Sequence, residues 1–310
     1  MKKFNIVLLI LFALSIALLA ESNFSTNGVF RTRMMMYNAD DDNGIGDPMF
    51  THSYIDSRFR MSFINTFNEK IKGVLQIEIG DIIWGDAKKG GGFTTDGINI
   101  ETKHAYLEFL CPKSKVNFRI GLQAWKEHRG LVLDGDMAAF LLSKNFRNLN
   151  VELGTAKFEE NKLHKDDDVD IFFLNFTQNK YGIHNILRRS EGGDNIDVWF
   201  MPYFIHKMNE ISLDITVIYN YGNYIETAAG DVTNNGYGVD IKATYENHCT
   251  ASLEFLYTSG EDEDDSESTT IFKTAGEHYC NGLEIFGRGT FDNFGAGWFG
   301  PEGKDNLGLM

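Results

Sequence analysis

Cysteine, proline and basic residues are scarce in this chain of 310 residues, and each scarcity excludes a class of protein. Three cysteines are too few for a disulfide-stabilised scaffold, and an odd number leaves at least one thiol unpaired or paired with another chain. With 29 lysines and arginines against 44 acidic residues, the net charge of −15 argues against a nucleic-acid binder, which needs a basic surface. A hydrophobic content of 43%, with 13% aromatic residues and 4 prolines, excludes a disordered chain.

One long hydrophobic run is present, at the start of the sequence. Lys2 and Lys3 precede the apolar segment 6–19, and Ala20 stands before Glu21. A basic start, an apolar stretch and a small residue at its end are typical of a secretory signal peptide. A membrane anchor is the alternative, but a spanning helix needs about 20 apolar residues. We therefore predict that residues 1–20 are a signal peptide and that the mature chain functions beyond the inner membrane.

Hydrophobic and polar residues alternate along most of the remaining chain, which is the pattern of β-strands with two different faces. In the segment 71–79, for example, Ile71, Leu75 and Ile77 alternate with Lys72 and Gln76. The segments with clear alternation are 29–37, 55–63, 71–79, 102–109, 116–124, 149–153, 213–219, 239–245 and 251–257. Segments 136–143, 169–176 and 198–205 are apolar on both faces, and 181–188 is a weaker candidate. This pattern predicts about thirteen strands before residue 260.

Short turns and long polar connections alternate between these strands. The short turns are 68–70, 112–115, 145–148, 178–180, 207–210 and 246–248. The long connections are 38–48, 81–97, 126–135, 158–167, 223–235 and 259–270, with a shorter one at 190–194. Outer-membrane barrels combine short periplasmic turns with long outer loops, and strands of about 9–11 residues suit a tilted crossing of the bilayer.

The fold predicted for residues 21–310 is therefore all-β, a transmembrane antiparallel up-and-down β-barrel of about 14 or more strands. A soluble periplasmic or secreted β-protein is the alternative. In a barrel the apolar face contacts lipid and the charged face lines the lumen. Aromatic residues near the predicted strand ends would then form the girdles at the two membrane surfaces: Tyr37, Trp84, Tyr219, Tyr245 and Tyr257.

Charged residues on the lumen-facing side of the predicted strands are the candidate functional residues. Arginines cluster on the first two strands, a basic wall continues onto later ones, and Glu152 and Glu254 belong to an acidic group on others. Four arginines would be costly in a dry core without matching acids, whereas a water-filled pore keeps them hydrated. The alternative is that the charges pair inside a plugged, structural barrel. The predicted pore-lining residues are Arg31, Arg33, Arg58, Arg60, Lys72, Glu78, Arg119, Asp214 and Asp240.

Part of the chain resembles a known family. The motifs are Phe30-Arg31-Thr32-Arg33, Ser57-Arg58-Phe59-Arg60, the acidic loop 38–47, Gln76 followed by Trp84, and Arg119-Ile120-Gly121-Leu122-Gln123. Over about residues 28–125 they resemble the opening half of alginate-export-like outer-membrane porins. The resemblance implies a single-chain barrel with a basic pore for anionic saccharides or other small solutes. It places Arg31, Arg33, Arg58, Arg60 and Arg119 in that pore, while Glu78, Glu108, Glu152, Asp214 and Asp240 depart from the pattern by giving the lumen mixed charge.

The end of the sequence departs from the family pattern as well. Residues 271–310 are rich in glycine and lack clean alternation, whereas such barrels finish on a strand with a terminal aromatic residue. A closed bacterial barrel has an even number of strands. Either a fourteenth strand lies near residues 270–285, or the last strands are missing from the sequence, which is the interpretation we favour.

Other residue clusters have weaker patterns. The acidic segment 40–47 has the oxygen density of a calcium loop but lacks the final glutamate of an EF-hand, and 261–267 is typical of a solvated outer loop. The histidines have no zinc spacing, and no Gly-x-Ser-x-Gly motif occurs. We therefore predict no catalytic function, no cofactor and no metal site.

The sequence as a whole predicts a porin in the outer membrane of a Gram-negative-type bacterium, passing small hydrophilic solutes by diffusion. Its expected partners are outer-membrane lipid and lipopolysaccharide, the solutes themselves, and no nucleic acid. The main alternative is a surface-exposed structural or adhesive barrel whose acidic loops bind a partner. A periplasmic saccharide-binding or saccharide-cleaving β-protein is the third possibility.

Overall fold

The computed structural model describes residues 22–39, 50–92, 100–159, 168–190, 195–227, 230–260, 268–270, 272–276 and 306–309. The predicted signal peptide and the acidic segments 40–47 and 261–267 lie outside the described residues. No helix within the described residues is long and apolar enough to cross a membrane. The chain divides into two compact units, residues 1–110 and 111–310, and each is treated separately below.

The first unit is an antiparallel meander of four strands. They are β1 (Asn23–Ala39), β2 (Phe50–Asn68), β3 (Ile71–Ile83) and β4 (Ile100–Leu110), with a short 3-10 helix at Ala87–Lys89. Each strand pairs with the next one in the chain. Alternation separates two faces on β2 and β3: an apolar face with Phe59 and Ile79, and a charged face with Arg60 and Glu78.

The second unit is an antiparallel meander of nine strands, and two further short strands pair with it. The strands are β5 (Asn117–Lys126), β6 (Asp134–Phe146), β7 (Leu149–Glu159), β8 (Val169–Thr177), β9 (Tyr181–Ser190), β10 (Asn195–Met208), β11 (Ile211–Thr227), β12 (Gly230–Glu246) and β13 (Thr250–Thr258). Two-residue β14 (Ser268–Thr269) pairs parallel with β12, and β15 (Asn306–Leu309) pairs antiparallel with β13. Antiparallel hairpins need only short turns, and the pairing follows chain order throughout β5–β13.

The structure confirms the predicted fold class of antiparallel up-and-down β-strands and the thirteen strands that end before residue 260. The predicted loop at 223–235 is wrong. The backbones of β11 and β12 continue to pair up to Thr227 and Gly230, past a bulge between Asn223 and Ile225. Polar side chains there suggested a loop, but a hairpin extended into water satisfies its backbone hydrogen bonds equally well.

The described residues of the segment 270–285 do not form the predicted fourteenth strand. Residues 272–276 have no strand structure, and the rest of that segment lies outside the described residues. The strand that pairs with β13 is instead β15, where Phe255 lies opposite Leu309.

The two faces of the second unit differ sharply in exposure. One face, called here the exposed face, carries rows of large apolar side chains open to the surroundings, such as Phe172 at 42% and Phe200 at 45% exposure. The opposite face, called here the packed face, carries a buried cluster that includes Phe173, Ile186 and Trp199. Alternation along each strand separates the two sets, so Phe172 and Phe173 point to opposite sides.

Two segments outside the strands cover the packed face. Segment 127–133, between β5 and β6, contributes the buried residues Leu131, Val132 and Leu133. Segment 272–276 contributes Phe272 and Ala275, and the amide of Ala275 donates a hydrogen bond of 3.0 Å to the carbonyl of Val132. The indole Nε1 of Trp199 donates a hydrogen bond of 2.9 Å to the carbonyl of Lys273. The core of the second unit therefore lies between the sheet and these two inserted segments.

Candidate functional site

Two arginines of β1 bind one buried carboxylate of β2. The Nε of Arg33 lies 3.1 Å from each carboxylate oxygen of Asp56, and its Nη2 lies 2.7 Å from Oδ2. The Nη2 of Arg31 is 3.8 Å from Oδ1 of the same carboxylate. Asp56 is 1% exposed, so the fork-like contact with Arg33 compensates a charge removed from water.

A second pair of arginines, on β2, surrounds Glu78 of β3. Arg60 donates from Nε to Oε2 of Glu78, and Nη1 of Arg58 lies 4.0 Å from Oε1. Gly80 makes room for Arg58, because a Cβ at that position would lie 2.5 Å from the Arg58 Cγ. The six side chains of this arginine ladder, four arginines with Asp56 and Glu78, carry four positive and two negative charges.

Lys72 continues the charged face of the first unit onto β4. Its Nζ lies 3.2 Å from Oε2 of Glu108, which is directly opposite in the strand register. The sequence placed both residues on charged faces, and the structure joins them as a cross-strand pair.

In the second unit, Arg129 of segment 127–133 joins the acidic residues of three strands. Its Nε is 3.3 Å from Oδ2 of Asp240 on β12, its Nη2 is 2.5 Å from Oε1 of Glu254 on β13, and its Nη1 is 3.7 Å from Oδ2 of Asp214 on β11. Lys242 adds a contact of 3.0 Å to Oε2 of Glu254. Asp240 and Glu254 are almost fully buried, so this group, called here the Arg129 cluster, attaches the segment to the strands by charge.

His128 provides a second attachment beside Arg129. Its Nε2 lies 2.7 Å from Oδ2 of Asp214, and its ring stacks on Tyr203 of β10 with centroids 3.9 Å apart and planes 10° apart. Tyr203 also stacks against His184 of β9, with centroids 5.7 Å apart. The segment is therefore fixed to the packed face by a hydrogen bond and an aromatic stack side by side.

Glu127 organises segment 127–133 from within. Its Oε1 accepts the amides of Leu131 and, at 3.3 Å, Val132, and its Oε2 accepts the amide of Leu133 at 3.1 Å. The carboxyl group lies outside the strands and is almost completely buried, which raises its pKa from 4.5 to about 7 although the amides oppose the rise. Glu127 thus closes the segment into a tight loop by accepting three backbone donors that would otherwise be buried without partners.

Comparison with solved structures finds bacterial outer-membrane proteins with similar strand arrangements. OccAB1 of Acinetobacter baumannii aligns with a TM-score of 0.46 and 12% identity, over 78% of this chain and 68% of that one. The anion-selective porin from Comamonas acidovorans aligns with a TM-score of 0.49 and 13% identity, over 77% of this chain and 79% of that one. OmpT, an outer membrane protein of Vibrio cholerae, aligns with a TM-score of 0.40 and 12% identity, over 93% and 95%.

No protein-family model matches the sequence, and the search of the curated proteins gives no match. The resemblance of residues 28–125 to alginate-export-like porins therefore has no matching family model.

The structure brings together most of the predicted site residues, in two groups. Six lie on the charged face of β1–β3 in the first unit: Arg31, Arg33, Arg58, Arg60, Lys72 and Glu78. Asp214 and Asp240 meet in the Arg129 cluster of the second unit. Arg119 lies on β5, half-buried and opposite Leu141, on the same face as Gln123.

Sequence reasoning missed Asp56 as an arginine partner and missed Arg129, His128 and Glu127 entirely. Asp56 stands in the same alternation as Arg58, and this spacing could have identified it. The signal for the other three was the apolar run Leu131-Val132-Leu133 inside a connection interpreted as polar. Three consecutive apolar residues need burial, which predicts that the connection folds inward.

The chemistry available to both groups is electrostatic. Within the part of the chain that the structure describes, no group of three or more histidine, cysteine, aspartate or glutamate side chains could hold a metal ion. The arginine ladder presents guanidinium groups to anions, and the Arg129 cluster presents carboxylates paired with cations. Such arrangements order the local electric field.

Proposed function

We propose that this chain is an outer-membrane β-barrel that passes small hydrophilic solutes by diffusion. The observation that carries the proposal is that large apolar residues are exposed on one face of the strands, while the charged residues lie on the opposite face, in the second unit beside its buried cluster. Soluble monomers seldom expose contiguous apolar patches above a few hundred Å². Barrel strands in a membrane require this alternation, with apolar residues against lipid.

The exposed face supports the membrane assignment along neighbouring strands. Phe140 of β6, Leu153 of β7, Leu174 of β8 and Phe200 of β10 are 38–52% exposed. Because these side chains are already about half buried, covering the rest with lipid would contribute about 1 kcal/mol each, whereas water contact offers no such gain. Exposed apolar residues on four strands of one sheet are not explained as scattered surface apolar residues.

Aromatic residues support a membrane boundary across β11–β13. Tyr219 lies opposite Tyr237 in the register, and the rings of Tyr237 and Tyr257 are 6.1 Å apart. Tyr219 ends the predicted segment 213–219, but β11 continues for eight more residues to Thr227, so the membrane surface would cross the strands at Tyr219 and the hairpin would project beyond it. The projecting part would lie among lipopolysaccharide headgroups. Among the other predicted girdle residues, Trp84 is exposed just after β3, Tyr245 is exposed near the end of β12, and the side chain of Tyr37 lies outside the described residues.

The charged side of the sheet supports solute selection by charge. The arginine ladder carries four guanidinium groups against two carboxylates, so it favours anions on the wall that β1–β3 would form. We propose that all nine predicted pore-lining residues face the solute side, and that residues 1–20 are removed as a signal peptide. The finer resemblance to alginate-export-like porins agrees with a basic wall, whereas the acids of the Arg129 cluster argue for a broader range of small solutes.

Ion conductance of the refolded protein tests the proposal. The mature chain is refolded in detergent, checked for heat-modifiable gel mobility, and inserted into planar bilayers. Discrete, voltage-stable current steps are expected, together with fractionation into the outer membrane in cells. Folded protein that inserts without passing ions would overturn the channel.

A closed structural barrel is the second candidate, and one observation favours it. The packed face of the second unit carries a buried cluster covered by segments 127–133 and 272–276, which occupy space on the side proposed for the lumen. A barrel of this kind would bind partners through its loops and carry no current. Absence of conductance, combined with correct folding and outer-membrane location, would favour this function over diffusion.

A further inference from the structure

A cavity of about 740 Å³ lies at the end of the second unit where the short turns are found. It lies between the turn after β6 and the turn after β8, and Tyr203 of β10 reaches it from the packed face. Its size is within the range of pockets that hold small molecules. Neither the arginine ladder nor the Arg129 cluster contributes a lining residue among those the structure describes.

The charged residues that line the cavity are all positive. Of the ten lining residues, Arg147 and Lys180 are cations, five are asparagine or glutamine, and none is acidic. In a chain with 44 acidic residues and a net charge of −15, an acid-free lining is a local reversal of the overall charge. Glu152 is the next acid along the same face of β7, but its Oε1 accepts hydrogen bonds of 3.0 Å from Trp125 Nε1 and from Asn175 Nδ2.

Arg147 occupies a backbone conformation that arginine seldom adopts. Its φ is 58°, in the left-handed region, within a two-residue turn where glycine or asparagine is usual. A residue with a Cβ destabilises the fold by about 1–2 kcal/mol in this conformation. The backbone of the turn is therefore strained at Arg147. Strained backbone of this kind is enriched at functional sites, and Lys115 and Asn209 have a positive φ in two other short turns.

The other side of the cavity is fixed by packing. Gly182 lets the ring of Tyr203 lie across β9, because a Cβ there would be 2.6 Å from Tyr203 Cε1. The Tyr203 hydroxyl donates to the carbonyl of Gln178 at 3.4 Å, and Asn150 Nδ2 donates to Asn145 Oδ1 at 2.8 Å. Tyr203, Asn145 and Asn150 are thus held in place before any ligand arrives, which lowers the entropic cost of binding.

We propose that this cavity is a binding site for a small oxyanion, an organic carboxylate or a phosphate. Arg147 provides a planar fork and Lys180 a point charge, and both form charge-assisted hydrogen bonds with oxyanion oxygens. The amide side chains donate further hydrogen bonds, and Tyr203 forms the apolar floor. The site goes beyond diffusion, since it would hold a solute at one mouth of the channel.

Equilibrium binding to the refolded full chain in detergent tests the site. The probes are citrate, inorganic phosphate and, as a neutral comparison, glycerol, each measured by titration calorimetry at low ionic strength. Saturable binding of citrate or phosphate with a stoichiometry of one is expected, and the two probes separate carboxylate from phosphate preference. No binding of either anion, or equal binding of glycerol, would overturn the proposal.

Two variants locate the binding. Arg147→Asn with Lys180→Gln keeps a turn residue that tolerates positive φ and removes both charges, so affinity should fall about tenfold or more. Lys113→Gln with Lys207→Gln removes two exposed cations, one in the turn before β5 and one near the end of β10, and should change affinity less than about twofold. Equal losses in the two double variants would place the anion elsewhere.

Gln178→Glu keeps the inference testable if the turn variant fails to fold. It adds an acid to the lining while the backbone contacts of residue 178 remain, so anion binding should fall and glycerol should be unaffected. Unchanged anion binding in this variant would contradict the site. The measurement needs no ion current, so its failure would leave the channel proposal standing, and absence of conductance would leave the binding site standing.

Discussion

Arg129 and Glu254 are 125 residues apart in the chain, and Nη2 of Arg129 lies 2.5 Å from Oε1 of Glu254. Arg129 follows β5, whereas Glu254 lies on β13, at the other end of the second unit's meander. A connection that only joined β5 to β6 would have no reason to reach β13. The contact therefore defines segment 127–133 as an element that crosses the packed face and connects its two ends.

Removal of the Arg129 guanidinium should destabilise the folded protein. Arg129→Gln leaves Asp240 buried without the cation beside it, and loss of one partner from a buried charge group costs about 3–5 kcal/mol. Urea-induced loss of heat-modifiable gel mobility in detergent gives the free energy of unfolding. Arg189→Gln is the matched control, because Arg189 pairs with Asp170 at 3.2 Å while 44% exposed, and its loss should cost less than about 1 kcal/mol. Equal effects of the two substitutions would contradict a buried Arg129 cluster.

The strands could be predicted from the sequence, whereas the contacts of Arg129 could not. Period-two alternation is a local signal, and it located nine of the thirteen strands and the charged face with Arg58 and Arg60, while apolar runs and one weaker pattern located the other four. Contacts such as that of Arg129 with Asp240 depend on where a loop folds in three dimensions, which no local period encodes. The same is true of segment 272–276, whose hydrogen bond from Ala275 to Val132 joins parts of the chain more than a hundred residues apart.

The cavity beside Tyr203 was likewise beyond prediction from sequence. Its residues come from two turns, the ends of the strands that flank them, and β10, and the turns at 145–148 and 178–180 were predicted correctly as short connections. Nothing in their composition says that they lie side by side on one face, because strand order in space decides that.

Loss of the β2 arginines should weaken any preference for anions. Arg58→Gln with Arg60→Gln removes two positive charges of the arginine ladder and leaves Glu78 in place, so the local field becomes less positive. The reversal potential in a salt gradient, measured at low ionic strength where screening is weak, should shift toward cations. Lys126→Gln, at the exposed end of β5, is the control and should leave the reversal potential unchanged. An identical reversal potential in wild type and in the double variant would remove the ladder from the solute path.

Ionisation of Glu127 should make stability depend on pH. Burial raises the pKa of this carboxyl from 4.5 to about 7, so the folded state holds a proton that the unfolded state has lost. The stabilising contribution is complete below the unfolded pKa and is lost as pH rises through the folded one. Between about pH 5 and pH 8 the wild type should therefore lose on the order of 2–3 kcal/mol relative to Glu127→Gln, which cannot ionise. Urea unfolding at several pH values gives the comparison, and parallel pH curves for the two proteins would contradict it.

Substitution of Gly182 should disturb Tyr203. A Cβ at position 182 would lie 2.6 Å from Tyr203 Cε1 and 2.7 Å from the carbonyl oxygen of Phe176, and the backbone oxygen has little freedom to move. Gly182→Ala should cost about 1–3 kcal/mol of stability. Gly73→Ala is the control, because its nearest neighbour, Phe67 Cε2, would be 3.5 Å from the new Cβ, and it should be neutral or stabilise by about 0.4–1 kcal/mol. Equal thermal stability of the two variants would show that the room at Gly182 is not needed.

Thiol labelling should place the short turns on the periplasmic side of the membrane. Cys249 is exposed and unpaired in the turn between β12 and β13, so with Cys111→Ser and Cys280→Ser it is the single target for a membrane-impermeant maleimide. Short turns of outer-membrane barrels face the periplasm, so labelling is expected only after the outer membrane is permeabilised. Lys88→Cys, at the exposed 3-10 helix between β3 and β4 and with all three natural cysteines replaced, should react on intact cells. Labelling of Cys249 on intact cells would reverse the orientation, and it would move the oxyanion cavity, which opens beside the same set of turns, to the outer mouth.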